Sequence, residues 1–179
     1  MNTALLVIDV QQALTSGKYQ MFESQRVIER INHVLQVARA AGAPIVVVQH
    51  EEQDGPMKFG GGGWQLDPGL QVLPTDVRVR KATPDSFNNT PLQSELQARN
   101  IEKLVICGFQ SEYCIDSTTR RALALGYPVT LVSDGHSTLD NGVLNAAQIS
   151  AHHNETLRMM DSFGPRVATV PASEVRIES

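Results

Sequence analysis

Cysteine is scarce in this chain. Cys107 and Cys114 are the two thiols among 179 residues, too few for a disulfide framework, so each needs its own explanation. Charge is thin as well: 19% of the residues are Asp, Glu, Lys or Arg, and the net charge is −4. No dense run of Lys and Arg supplies the electrostatic footprint of a nucleic-acid partner. No apolar run approaches the roughly 20 residues that span a bilayer. The start of the chain carries neither the basic segment nor the small-residue cleavage site of a signal peptide. The expectation is a cytoplasmic protein with neither a membrane nor nucleic acid as partner. Phosphate cradles are missing too. The run Gly60-Gly61-Gly62-Gly63 leads into Trp64 rather than into Lys and Ser or Thr, and no G-x-G-x-x-G joins a strand to a helix. A nucleotide- or flavin-binding protein is therefore disfavoured, and no cofactor is expected.

What is present is an ordinary globular composition, 41% apolar, in a chain long enough to bury a substantial core as one domain over residues 1–179. Short apolar bursts alternate with stretches of helical period. Residues 5–8, 45–48, 77–81, 104–107, 129–132 and 167–170 read as strands, the first as one buried on both faces. Between 23 and 41, Val27, Ile31, Val34, Leu35 and Ala38 fall at helical spacing, and Gly42 stops the helix. Thr90-Pro91 opens a helix to about residue 99, and further helices are expected over 113–125 and 144–160. Alternating strands and helices imply βαβ units, hence a doubly wound α/β fold with a mostly parallel sheet covered on both faces. The exception is 51–76, a long loop of weak periodicity. It is either a functional element, such as a lid or a subunit contact, or a surface excursion.

In such a sheet, ligands bind beyond the carboxyl ends of the strands. Three chemically useful residues occur there. Asp9 closes the first strand, Lys81 closes the third in phase with Val77 and Val79, and Cys114 follows the fourth strand after Gly108-Phe109-Gln110-Ser111. A cysteine near a helix N-terminus and a lysine is expected to favour thiolate. Asp9 would accept the thiol proton and later deliver it to a leaving amine, and backbone amides of the turn would stabilise an oxyanion. Taken singly, a cysteine after a strand is more often a small core residue, and an aspartate at a strand end is commonly a cap or turn residue.

The segment Leu6-Val7-Ile8-Asp9-Val10-Gln11 resembles the D-x-Q opening strand of the isochorismatase-like hydrolases. Lys81, with the following Ser86-Phe87-Asn88-Asn89-Thr90-Pro91-Leu92, resembles that family's lysine and its S-x-F-x-x-T-x-L stretch. Gly108-Phe109-Gln110-Ser111-Glu112-Tyr113-Cys114-Ile115-Asp116-Ser117-Thr118 resembles its cysteine signature. The resemblance runs from about residue 5 to 170. It implies a three-layer sandwich with a six-stranded sheet of order 3-2-1-4-5-6, and a Cys114, Asp9 and Lys81 catalytic group. It also implies a cis Phe109–Gln110 peptide, an oxyanion hole from the Gln110 and Cys114 N–H groups, and a homo-oligomer, a dimer or larger. The implied reaction is hydrolysis of a small-molecule amide or related C–N bond through a thioester. The alternatives are a non-hydrolytic binder or thiol-redox protein on the same fold, and an enol-ether hydrolase of isochorismatase type. Nicotinamidases of that family bind a metal through an Asp-x-His pair after the second strand. Here the stretch reads Gln49-His50-Glu51-Glu52, and no metal is assigned.

Phe87, Tyr113, Trp64 and the Gln110 side chain are candidate substrate contacts, the aromatics as walls around a planar or apolar ligand. Ser111 and Glu112 are expected to cap the helix that begins near Cys114. His136 is assigned a turn or interface role, His152 and His153 a surface or interface role, and Cys107 the core.

Overall fold

A computed structural model describes residues 1–177. Six parallel strands form one sheet in the order β3-β2-β1-β4-β5-β6: β1 Thr3–Ile8, β2 Ile45–His50, β3 Val77–Lys81, β4 Lys103–Phe109, β5 Val129–Ser137 and β6 Val167–Val170. This is the order that the sequence resemblance implies. The helices are α1 Gln12–Thr15, α2 Ser24–Ala40, α3 Leu92–Ala98, α4 Asp116–Ala124 and α5 Ala146–Arg158. The segment 51–76, expected as a loop, contains turns and two isolated bridges but no named strand or helix.

Alternation along the strands builds two cores, because successive side chains of a strand project to opposite faces. Ala4, Leu6 and Ile8 join Val46, Val48 and Val79 on one face, under Leu92 and Leu96 of α3, Ala122 and Leu123 of α4, and Leu157 of α5. Leu5 and Val7 join Ile45, Val47 and Val105 on the other face, under Val27, Ile31, Val34, Leu35 and Ala38 of α2. These five are the positions at helical spacing, and each is nearly or fully excluded from water. Burying a side chain such as Ile31 or Leu35 stabilises the fold by about 1.5–3 kcal/mol. Cys107 is buried on the α2 side, as expected of a core thiol.

Two local features shape the chain next to the carboxyl ends of β1 and β4. Gly108 sits in β4 at φ 125°, where an added Cβ would lie 2.0 Å from the Ile8 carbonyl oxygen. Only glycine lets β4 come this close to β1. The Phe109–Gln110 peptide that follows is cis, and Ser111–Ile115 then forms a π-helical turn before α4 begins. The expected helix over 113–125 is thus split into two forms. Cys114 lies in the π-turn rather than in the first turn of an α-helix.

Candidate active site

Register brings the site together before any side chain is considered. The β2–β3 ladder pairs Val48 with Val79 and His50 with Lys81. Lys81 therefore continues the face of Val77 and Val79, and His50 stands beside it. By alternation Asp9 would fall on the opposite face with Leu5 and Val7. Instead it adopts φ 55°, the left-handed region that Asp tolerates better than most non-glycine residues. That residue ends the alternation and delivers the carboxylate to the side of Lys81.

The Lys81 ammonium lies 2.7 Å from Asp9 Oδ2, with both side chains excluded from water. It also donates to Cys114 Sγ at 3.1 Å. Asp9, Lys81 and Cys114 are thereby brought into one cluster. Among the described residues, no donor reaches the second carboxylate oxygen, Asp9 Oδ1, although it is buried.

Burial and neighbouring charge set the protonation states. Burial alone would lower the Lys81 pKa, but the attraction of Asp9 and then of Cys114 outweighs it and holds the ammonium above its ordinary range. Burial and then Asp9 push the Cys114 thiol up, Lys81 pulls back less strongly, and the net is about 12. The expectation of a favoured thiolate is therefore corrected: at neutral pH the sulfur keeps its proton, because desolvation and the adjacent carboxylate outweigh one ammonium. Burial also drives the Cys107 thiol upward.

A family model described as an isochorismatase domain matches residues 3–171. The chain belongs to the isochorismatase family. A streptothricin hydrolase of Streptomyces noursei is 36% identical over 176 residues, an alignment that covers 94% of this chain and 64% of the relative. The chain thus spans less than two thirds of that relative's length. A ureidoacrylate amidohydrolase of Stutzerimonas stutzeri (strain A1501) is 28% identical, with 99% of this chain and 86% of the relative covered. The crystal structure of an isochorismatase family protein superposes with a TM-score of 0.86 at 38% identity, covering 94% of this chain and 98% of that one.

The remaining candidates of this isochorismatase-family chain are distributed unevenly. Gln110 lines a cavity of about 280 Å³ with Leu14, Tyr19, Glu52, Met57 and Leu139, and its side-chain amide lies 3.5 Å from Met21 Sδ. Phe87 does not stand as an open wall. It is 7% exposed, packs into the core on the α3 side and stacks against Tyr127 with ring centroids 6.3 Å apart. Tyr113 is 53% exposed, although its neighbour Cys114 joins the buried cluster. Trp64 packs edge-on against Phe59 at 4.8 Å, and its carbonyl accepts from the side-chain amides of Gln11 and Gln49. The structure therefore places Gln110 at this cavity, while Phe87, Tyr113 and Trp64 are not among the residues that line it.

Ser111 and Glu112 do not cap. Ser111 Oγ lies 2.7 Å from His136 Nδ1 and 2.9 Å from Ser150 Oγ, and Glu112 accepts from Thr138 Oγ1 at 2.8 Å. His136 is no turn residue either. It is buried within β5, and its Nε2 lies 3.0 Å from Asn154 Oδ1. Burial lowers its pKa to about 4, so the imidazole is neutral. His153 sits on Asp116 at 3.1 Å, while His152 is exposed. Among the described residues, no group of three or more His, Cys, Asp and Glu side chains is arranged to hold a metal ion. Nor is any helix among them long and apolar enough to cross a membrane.

Proposed function

We propose that this chain hydrolyses a small-molecule amide or a related C–N bond through a thioester on Cys114. The observation that carries the reading is the buried Lys81 ammonium, held 2.7 Å from Asp9 and 3.1 Å from Cys114 Sγ. The names of the relatives, a streptothricin hydrolase and a ureidoacrylate amidohydrolase, support the same reaction class.

The thiol is protonated at rest, so attack requires a base at the moment of bond formation. Asp9 Oδ1 is buried and unpartnered among the described residues, and it takes the thiol proton as Sγ bonds to the carbonyl carbon. The carbonyl electron pair moves to oxygen, where the Gln110 and Cys114 N–H groups stabilise it. Collapse expels the amine, which receives the proton from Asp9, and leaves a thioester. Water then adds to the thioester with Asp9 again as base, the acid product departs and the thiol is restored. Lys81 keeps its proton throughout. It stabilises the Asp9 carboxylate and the sulfur as negative charge passes between them.

The test is amine or ammonia release across a panel of small amides and ureido compounds, with and without a chelator, for the parent chain and for Cys114→Ala. Turnover that vanishes in Cys114→Ala while the melting temperature stays within a few degrees is the expected result. A substrate turned over equally by both proteins would overturn it. The single domain and a homo-oligomeric assembly remain part of the proposal, and sedimentation of the purified chain tests the assembly.

A further inference from the structure

A protonated lysine carries three N–H donors and no acceptor. Lys81 is wholly excluded from water, so each of the three must find its partner inside the protein. Asp9 Oδ2 at 2.7 Å and Cys114 Sγ at 3.1 Å account for two. The nearest acceptor for the third is His50 Nδ1 at 3.4 Å. We infer that His50 is a positioning residue, which takes the third Lys81 proton and so fixes the ammonium between Asp9 and Cys114.

The fold prepares His50 for this task in two independent ways. First, His50 and Lys81 are paired across the β2–β3 ladder at its last position, so both side chains leave the same face of the sheet. Second, the backbone of His50 is held by Gln11, a fully buried residue two positions beyond Asp9. The Gln11 side chain donates from Nε2 to the His50 carbonyl at 2.9 Å and accepts the His50 N–H on Oε1 at 2.8 Å. The same Nε2 also donates to the Trp64 carbonyl at 2.9 Å, which fastens the 51–76 segment to this strand end. Asp9 and Gln11 thus act on one ammonium from two directions, Asp9 by direct contact and Gln11 through His50.

An ammonium donor to Nδ1 defines the imidazole. Nδ1 is the acceptor, the ring is neutral, and its proton is on Nε2. Burial and then Lys81 lower the His50 pKa, against smaller opposing pulls from Asp9, Glu52 and Glu51, which agrees with a neutral ring. Asparagine is the substitution that preserves this function, since its side-chain oxygen occupies about the place of Nδ1. Leucine fills similar space with no acceptor.

The inference rests on the reading of Cys114 as nucleophile, and the experiment separates the two. The parent chain, His50→Leu and His50→Asn are compared in three measurements at one pH. These are kcat and KM on an amide found with the panel above, the rate at which iodoacetamide alkylates Cys114 (read by mass spectrometry with Cys107 as internal reference), and the melting temperature. His50→Leu is expected to lose roughly ten- to a hundredfold in kcat with KM nearly constant, and to alkylate more slowly because the ammonium is no longer held at the sulfur. His50→Asn is expected to recover most of both. Parent-like kcat and alkylation in His50→Leu overturn the inference, and so does an Asn variant that falls as far as the Leu variant. If no amide is turned over, the alkylation rates still decide the role of His50, whereas the function of Cys114 stands or falls on Cys114→Ala.

Discussion

At the scale of single residues, the Asp9–Lys81 pair sets the terms. The Asp9 carboxylate and the Lys81 ammonium face each other without access to water, and removing one leaves the other uncompensated. Lys81→Met is therefore expected to destabilise the chain by about 3–5 kcal/mol. The double variant Asp9→Asn with Lys81→Met should regain most of that stability in a urea titration yet show no turnover. A double variant as unstable as the single one would mean that the pair is not the source of the loss. The sequence shows Asp9, Lys81 and Cys114 because strand-end position is legible from apolar runs. It hides His50, whose importance depends on cross-strand register, and it hides the resting thiol, whose protonation depends on burial that no linear pattern displays. Phe87 illustrates the same limit, since its place in the chain does not show whether the ring packs toward a site or into the core.

At the scale of elements, the π-turn Ser111–Ile115 is the unit that matters. Its first residue is tied to β5 and α5. Asn154 donates to the Ser133 carbonyl, and its Oδ1 accepts from His136 Nε2. This leaves His136 Nδ1 to accept from Ser111, and Ser111 in turn accepts from Ser150. Ser111→Ala removes the link at its centre and leaves the His136 and Ser150 groups short of a partner. The expected cost is about 1–3 kcal/mol of stability, with a lower kcat, read from a denaturation curve and steady-state rates. The strand cores were readable from runs of Val, Ile and Leu, and β3 and β6 begin and end where the sequence places them. The carboxyl ends of β4 and β5 run further than expected, because Gly108 and Phe109 pair with His136 and Ser137 after a register shift that follows the Ile106–Leu131 pair. The start of α5 has a local signal that periodicity misses: Asn145 and Gln148 form a reciprocal capping box.

At the scale of the whole molecule, buried titrating groups confine stability to a window of pH. The His136 pKa is lowered from 6.5 to about 4, so its neutral form belongs to the folded state. That contribution is present above pH 6.5 and is lost as pH falls toward 4, on the order of 3 kcal/mol by then. Cys107, Cys114 and Lys81 are all raised, so their contribution is full below about pH 9 and drains away at higher pH. Melting temperature plotted against pH should form a plateau between roughly 6.5 and 9 with a fall on both sides. A curve still rising at pH 10 would contradict the buried thiols. One feature of the sheet order bears on how the protein wears out. Lys81 ends β3, an edge strand with a single neighbour, and His50 ends that neighbour. The ammonium on which the proposed chemistry depends is therefore anchored at the selvedge of the fabric rather than in its weave. Fraying of this edge ladder alone would release the ammonium and end competence while most of the fold is still intact.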